Sequence, residues 1–400
     1  MGDLLSLPAE LVELIATCTP PEDLPALRLT CKEVHSAVKR PFVKAHFREK
    51  TFMLPSSGSM QALVAISRHP IFGKAMKKVN LMALRVRDPK PARSDQVLFR
   101  VQRAEARGSP QLGALIRLIR HQRCLQQQIS DEQDDYYSEC QWTTPLIKAL
   151  RNFKSTSCDM FVDWQECREN SGITRNAACG RMHIERMLGV SDCMINVPVD
   201  DPRGIEFLMA IDQGGCPLAG FGCGGHSSGM GFPLHAFMIG GRDESVWDGL
   251  RTVDIAIDQY TRYEPTDHDV AQRILDFMAG AQLVEHLSLR CVADPADTRH
   301  DQFDAFTAMA QLPSIRHIWF GGALPDAGIL VEFCQRHRDT LKQVVCTANL
   351  HEWTPRFSAA RATLEQTAPL VSLQVKDVYR DMAIVNENDG YIHKPLVMDL

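Results

Sequence analysis

The chain of 400 residues is long enough for two or three domains, and its 44% hydrophobic and 23% charged residues are typical of a globular protein. Its net charge of −5 and its pI near 6.3 argue against general nucleic-acid binding, which requires a basic face. No membrane-spanning run and no export leader is predicted. We therefore expect a cytoplasmic or nuclear protein, or both, with most of its 13 cysteines as free, buried thiols.

The first fifty residues predict a compact module of three short helices. A second helix is expected to begin near Pro21, and a third at Thr30, because Thr30 and Glu33 fit a capping box. Pro41 is expected to end the third helix. In the first helix, apolar residues recur at helical spacing and form one stripe: Leu7, Leu11, Leu14, Ile15 and Cys18. Helices this short bury little by themselves, so they could equally be the first layer of a larger core.

Three elements of this module occur in an order that resembles an F-box of the fungal type, over residues 3–52. The elements are Leu7-Pro8-Ala9-Glu10-Leu11, a helix that opens Pro21-Glu22-Asp23-Leu24, and the run from Leu27 to His35. The resemblance implies binding to the Skp-family adaptor of an SCF (cullin–RING) ubiquitin ligase, and through that adaptor to cullin. The residues that it assigns to the adaptor, or to the module's own core, are Leu7, Pro8, Leu11, Ile15, Leu24, Leu27, Cys31 and Val34.

Residues 53–245 predict an irregular α/β region with early strand–helix repeats and with exposed loops at 85–111, 130–140 and 213–233. The second of these loops is acidic, from Asp131 to Asp135. A basic helix predicted at 112–125 could bind a substrate or a phosphate, but a solvated helix face is the simpler interpretation.

Residues 246–400 predict an alternation of short strands and helices. The predicted strands start at residues 250, 283, 315, 341 and 370, so that a strand and a helix recur roughly every thirty residues. This pattern resembles, loosely, a degenerate leucine-rich-repeat solenoid, in which stacked neighbours supply the core. An ordinary α/β domain with a parallel sheet gives the same alternation and remains the alternative.

One glycine-rich stretch matches two catalytic patterns. Gly225 to Gly229 reads G-x-S-x-G around Ser227, as in the nucleophile elbow of α/β-hydrolases, and Gly220 to Gly225 reads G-x-G-x-x-G. Both motifs require a strand before them and a helix after them. The glycine-rich lead-in does not predict a strand, and Pro233 lies where a helix would have to follow, so we expect a projecting loop.

The predicted fold is therefore α/β, with an F-box at 1–52, an irregular region at 53–245 and strand–helix repeats at 246–400. We expect a non-enzymatic adaptor of an SCF-type ligase, which binds a substrate protein through the repeats and carries no catalytic residue, cofactor or metal. Two other hypotheses stay open. One is a hydrolase that uses Ser227, and the other is an F-box scaffold that acts outside a ligase.

Overall fold

The computed structural model describes residues 7–82, 84–86, 110–154, 160–165, 194–196, 204–223, 244–258, 267–278, 282–292, 301–321, 325–348, 362–363, 366 and 372–377. The chain divides into two units, one of residues 1–160 and 169–197 and the other of residues 161–168 and 198–400. The predicted boundary at residue 52 lies inside the first unit, and that at residue 245 lies inside the second.

The first unit begins with four helices, not the three that were predicted: α1 (Ala9–Cys18), α2 (Leu24–Arg28), α3 (Lys32–Ala37) and α4 (Lys39–Phe47). Pro41 does not end a helix but lies in the first turn of α4, where its missing N–H has no intrahelical acceptor to lose. The predicted cap of α3 was also displaced by one residue. Sγ of Cys31 accepts the Val34 N–H at 3.5 Å, while the Thr30 hydroxyl donates to the Leu27 carbonyl.

The remaining elements of the first unit follow the four helices along the chain. They are β1 (Glu49–Met53), α5 (Ser57–Arg68), α6 (Phe72–Ala75), β2 (Lys78–Met82), β3 (Leu84–Val86), α7 (Pro110–Ser138), α8 (Thr143–Lys154) and, after the strand β4 (Met160–Gln165), β5 (Met194–Asn196). Strands β1 and β2 pair in parallel, and β3 and β5 pair antiparallel. The Phe47 ring stacks on that of Phe72 with centroids 4.0 Å apart, so α4 is packed into this unit.

The acidic stretch 130–140 was predicted as a loop, but through Ser138 it belongs to helix α7. Ser130, Gln133 and Tyr137 recur at helical spacing and are all buried, whereas Asp131 and Glu132 point outward. The buried face includes two polar residues, which is why the apolar pattern did not reveal it. Of the predicted loop at 85–111, the structure describes only the end of β3 and the first residues of α7.

The second unit alternates strands and helices. After β4 it contains α9 (Gly204–Gly214), β6 (Leu218–Cys223), α10 (Glu244–Trp247), β7 (Thr252–Asp258), α11 (Asp267–Met278), β8 (His286–Val292), α12 (Asp301–Met309), β9 (His317–Gly321), α13 (Ala327–Arg336), β10 (Gln343–Ala348) and β11 (Ser372–Asp377). The five strands predicted after residue 246 are confirmed, each beginning two or three residues later than expected. In the sheet, the strands of this unit follow their sequence order, and each neighbouring pair from β6 to β11 is parallel.

The two sides of this sheet differ in burial. On the covered side, alternate apolar residues are buried: Phe221, Val253, Ile255, Leu287, Leu289, Ile318, Phe320, Val344 and Cys346. Helix α11 packs on this side, since the Phe277 ring lies 5.5 Å from that of Phe221. From β7 onward, the residues that alternate with these buried ones along each strand, such as Thr252 and Asp254 on β7, are less buried and mostly polar. We call their side the open side.

Candidate docking face of the first helix

The interior of the N-terminal module is a small apolar cluster. Val12 and Ala16 of α1 contact Leu24 of α2, Val34 of α3 and Val38, and each of these side chains is at most 4% exposed. Leu27, Cys31 and Phe42 are half-buried and pack against this cluster. One side of α1 thus packs in the interior of the module.

The other side of α1 leaves large apolar side chains in solvent. Leu7 is 37% exposed, Leu11 45%, Leu14 59% and Ile15 42%. Leu11, Leu14 and Ile15 follow i, i+3 and i+4 spacing, which puts them on one face of α1, away from Val12 and Ala16, and Leu7 lies just before the helix. We call these four residues the leucine stripe. Contiguous apolar surface of this kind on a folded protein indicates a binding site for another protein.

The start of α1 sets the position of this stripe. The carbonyl of Pro8 accepts the N–H groups of Leu11 at 3.0 Å and of Val12 at 3.2 Å, which fixes the first turn. Pro8 is itself exposed beside Leu7. A further apolar side chain, Leu29, follows α2 and is 83% exposed.

The eight residues predicted from the sequence divide into three groups. Leu7, Pro8, Leu11 and Ile15 are exposed and can reach a partner. Leu24 and Val34 lie in the interior of the module, and Leu27 and Cys31 are half-buried against it. The eight-residue set omitted Leu14, although Leu14 belongs to the apolar stripe, and Leu29, which no helical period marks.

Two charged side chains beside the module's interior make defined contacts. The Arg28 guanidinium lies 4.4 Å from the centroid of the Phe42 ring, and its Nη2 is 3.3 Å from Nε2 of His35. Hydrogen bonds from its own backbone N–H and with Cys31 lower the pKa of the exposed Glu33 carboxyl. These contacts link Arg28 at the end of α2 to α3 and α4.

The glycine-rich motifs have a different context from the one predicted. A strand does precede Gly225, because β6 ends at Cys223, so the expectation that no strand leads into the motif was wrong. Gly220 and Gly222 lie within that strand, in register with Thr252 and Asp254, and not in a turn after it. A Cβ on Gly220 would overlap the ring of Phe161, so this glycine permits close packing of β4 on β6. The loop predicted at 213–233 is thus a strand over residues 218–223.

Ser227 itself lies outside the described residues. Nucleotide and hydrolase sites of open α/β sheets form where the strand order reverses. Between β6 and β11 the order of the described strands does not reverse. Among the residues that the structure describes, no three His, Cys, Asp or Glu side chains cluster in a way that could hold a metal ion. None of the helices that the structure describes is both long and apolar enough to cross a bilayer.

Comparison with known families agrees with the N-terminal geometry. Residues 4–46 match the F-box domain, a range that contains α1 to α3 and almost all of α4. A search of curated proteins found no match to the chain. The four-helix module that displays the leucine stripe is therefore an F-box domain.

Proposed function

We propose that this protein is a substrate-recognition subunit of an SCF-type ubiquitin ligase. The observation that carries the proposal is the coincidence of an F-box match with an exposed leucine stripe. F-box domains typically bind Skp-family adaptors, and the adaptor would connect this chain to cullin. The fungal subtype of the F-box belongs to the same proposal and is supported by the spacing of its sequence elements.

The leucine stripe is the part of the F-box that we assign to the adaptor. Burying one leucine side chain stabilises a contact by about 1.5–3 kcal/mol before the costs of association. Leu7, Pro8, Leu11, Leu14 and Ile15 can each lose water without any change in the module's interior. Leu24 and Val34 act indirectly, because they hold α1 in the position that displays the stripe.

The strand–helix body is the part that we assign to the substrate protein. Its strands follow the sequence order in parallel, which favours an irregular leucine-rich-repeat-like array over a doubly wound domain. The open side of the sheet offers polar side chains on consecutive strands. In this role the chain supplies no catalytic group, and ubiquitin transfer is promoted by holding the substrate near the partner subunits.

Adaptor binding by the full chain tests this proposal. We expect Leu11→Asp to weaken binding to a purified Skp-family adaptor by about 100-fold, because the charge would enter an apolar contact. Leu283→Asp is the matched control, since Leu283 is 49% exposed in the second unit, and it should bind normally. Equal binding by all three proteins would overturn the docking assignment.

Point substitutions are better suited to this test than removal of residues 1–50. Such a deletion cuts into β1 and removes Phe47 from its stack on Phe72. It also removes the Arg48 carbonyl, which accepts the N–H groups of Lys77 and Lys78. The truncated chain would therefore be damaged in the rest of the first unit.

The two other hypotheses give different results. A scaffold that acts outside a ligase would bind the adaptor but would not recruit cullin to the complex. A hydrolase would release product from a chromogenic ester and lose that activity in Ser227→Ala. The strand before Gly225 is the observation that keeps this assay worthwhile.

A further inference from the structure

One row of the open side consists entirely of uncharged polar side chains in register. The parallel pairing aligns them across five strands: Thr252, His286, His317, Gln343 and Ser372. His286 and Ser372 are exposed, and the other three are half-buried. Each of the five can donate a hydrogen bond, and none is a carboxylate. We call this set the donor row.

The centre of the donor row is a pair of stacked imidazoles. The rings of His286 and His317 are parallel within 4°, with centroids 4.7 Å apart, and Nδ1 of His317 lies 3.3 Å from Oε1 of Gln343. Partial burial lowers the pKa of His286, and repulsion from His317 and from Arg316 lowers it further, while Glu285 acts in the opposite direction. His286 therefore takes up a proton readily only when an anion is bound beside it.

The residues that immediately precede the donor row are mainly basic. Backbone hydrogen bonds of 2.8 Å link Glu285 to Arg251, Arg316 to Glu285 and Lys342 to Arg316 across the strands. The Glu285 carboxylate is paired with Arg316 at 3.4 Å. Arg251 and Lys342 are exposed and make no ion pair with the described part of the chain.

The other described charged residues near this edge of the sheet are two ion pairs and one exposed aspartate. Asp254, one row further along the strands, is paired with Arg290 at 2.8 Å. In the turn before β10, Arg338 lies 3.8 Å from Asp339. Asp248, in the turn before β7, is exposed. The carboxylates of Asp254 and Glu285 are thus already paired with arginines, and Arg251 and Lys342 remain to attract negative charge.

We infer that the donor row, with the exposed Arg251 and Lys342 one position before it at the starts of β7 and β10, binds an acidic segment, rich in Asp and Glu, of the substrate protein. This inference rests on the proposed function, since it names the chemistry that the body recognises. Carboxylates of the segment accept hydrogen bonds from His286 and His317 and take the place of the water that now solvates them. Charge-assisted bonds of this kind are stronger than neutral ones.

Binding of such a segment has a defined pH dependence. A carboxylate beside His286 favours the protonated form of that ring, so the complex holds more protons than the free protein. Affinity must then rise as the pH falls from 7.5 to 6. Arg251, Arg316 and Lys342, which immediately precede the donor row, add their charge to this attraction.

The test measures fluorescence anisotropy of a short labelled Asp/Glu peptide with the full chain, against the same peptide with Asn and Gln. We expect the acidic peptide to bind and the neutral peptide to fail. His286→Ala/His317→Ala should weaken binding about tenfold and abolish its pH dependence, while Arg251→Gln/Lys342→Gln should weaken it by a similar factor at every pH. Gln272→Glu/Gln335→Glu makes the same change in net charge on α11 and α13 and should have little effect.

Three results would overturn the inference: no binding of the acidic peptide, equal binding of both peptides, or binding only of a phosphoserine version. Each protein is also assayed for adaptor binding. A chain that binds the adaptor but not the acidic peptide contradicts the inference alone. A folded chain that does not bind the adaptor contradicts the proposed function.

Discussion

The first helix of the F-box and the strands of the body each have two faces, and they use them in opposite ways. On β7 the apolar Val253 and Ile255 are buried and the polar Thr252 and Asp254 face outward. Folding therefore buries the apolar side of this strand and leaves its polar side in contact with water. On α1 the apolar residues outnumber the places in the interior. Val12 and Ala16 fill the core, and the leucine stripe remains in solvent.

This difference separates stability from binding. An apolar helix face that the module's own core does not cover loses contact with water only when a partner binds to it. Changes on the inner side of α1 should therefore act through folding, and changes on the leucine stripe through binding alone. In the body, the same separation lies between the covered and the open sides of the sheet.

The largest expected effect comes from breaking the inner side of the module. Leu24 is 2% exposed, so Leu24→Asp places an unpaired charge in the interior and should destabilise the F-box by more than about 3 kcal/mol. Adaptor binding would then be lost through unfolding. Denaturant titration with a probe in the module checks this, and Leu11→Asp should unfold at the wild-type concentration. A Leu24→Asp protein of normal stability would contradict the comparison.

The next effect concerns the one ion pair on the open side that is largely buried within the described strands. The side chain of Arg290 is 8% exposed and that of Asp254 is 26% exposed. Asp254→Asn removes the carboxylate that balances Arg290, and we expect a loss of about 1–2 kcal/mol, discounted because Asp254 is in contact with water. Asp276→Asn on the exposed face of α11 is the control and should change stability by less than about 0.5 kcal/mol. Equal losses in both variants would show that the pair has no special role.

A smaller effect is expected at the start of α13, which covers the sheet. The Asp326 carboxylate accepts the Gly328 N–H at 2.8 Å and caps this helix. Asp326→Ala should reduce stability by about 1 kcal/mol, whereas Asp326→Ser, which restores a cap, should recover most of it. Thermal unfolding of the three proteins measures the difference. If Ser does no better than Ala, the cap is not what stabilises this end.

The smallest effect is one of pH. Nε2 of the buried His337 accepts the Leu312 N–H at 3.0 Å, and Nδ1 lies 2.9 Å from the Phe333 carbonyl oxygen, so the ring is held neutral. Burial lowers its pKa below the ordinary 6.5, with repulsion from Arg336 adding to this and the Phe333 bond opposing it. Unfolding therefore takes up protons, and this contribution is complete above pH 6.5 and is lost as the pH falls toward the lowered pKa.

The pH prediction is checked by comparing wild type with His337→Gln, which cannot titrate. The wild-type free energy of unfolding should fall more steeply below pH 6.5, by at most about 1.4 kcal/mol per pH unit for one proton. Other histidines, including His46 and His286, are present in both proteins and cancel. Parallel curves for the two proteins would contradict the role assigned to His337.

Several parts of this account could be predicted from the sequence because they depend on local patterns. The alternation of apolar residues located all five strands after residue 246, and the order of the elements around Leu7 and Leu27 identified the F-box. The fourth helix was not predicted, since Pro41 ends helices when it is interior and is tolerated in a first turn. The start of α4 depends on the turn at Val38, which no single residue marks.

The division of the candidate site could not be predicted, for a physical reason. Leu11 and Leu24 are the same residue type on short helices, and only the packing of α1 on α2 and α3 decides which of them is buried. The donor row was missed because it exists only in the register of the strands. His286 and His317 are far apart in sequence and become neighbours through the pairing of β8 with β9.

The measurement that tests the central claim most directly is site-specific photo-crosslinking to the purified Skp-family adaptor. A photoreactive amino acid would replace Leu14, the most exposed residue of the leucine stripe, or Leu283 in the second unit. The account predicts a crosslink to the adaptor from position 14 and none from position 283. Normal adaptor binding without a crosslink from position 14 would contradict the claim that the leucine stripe is the docking face.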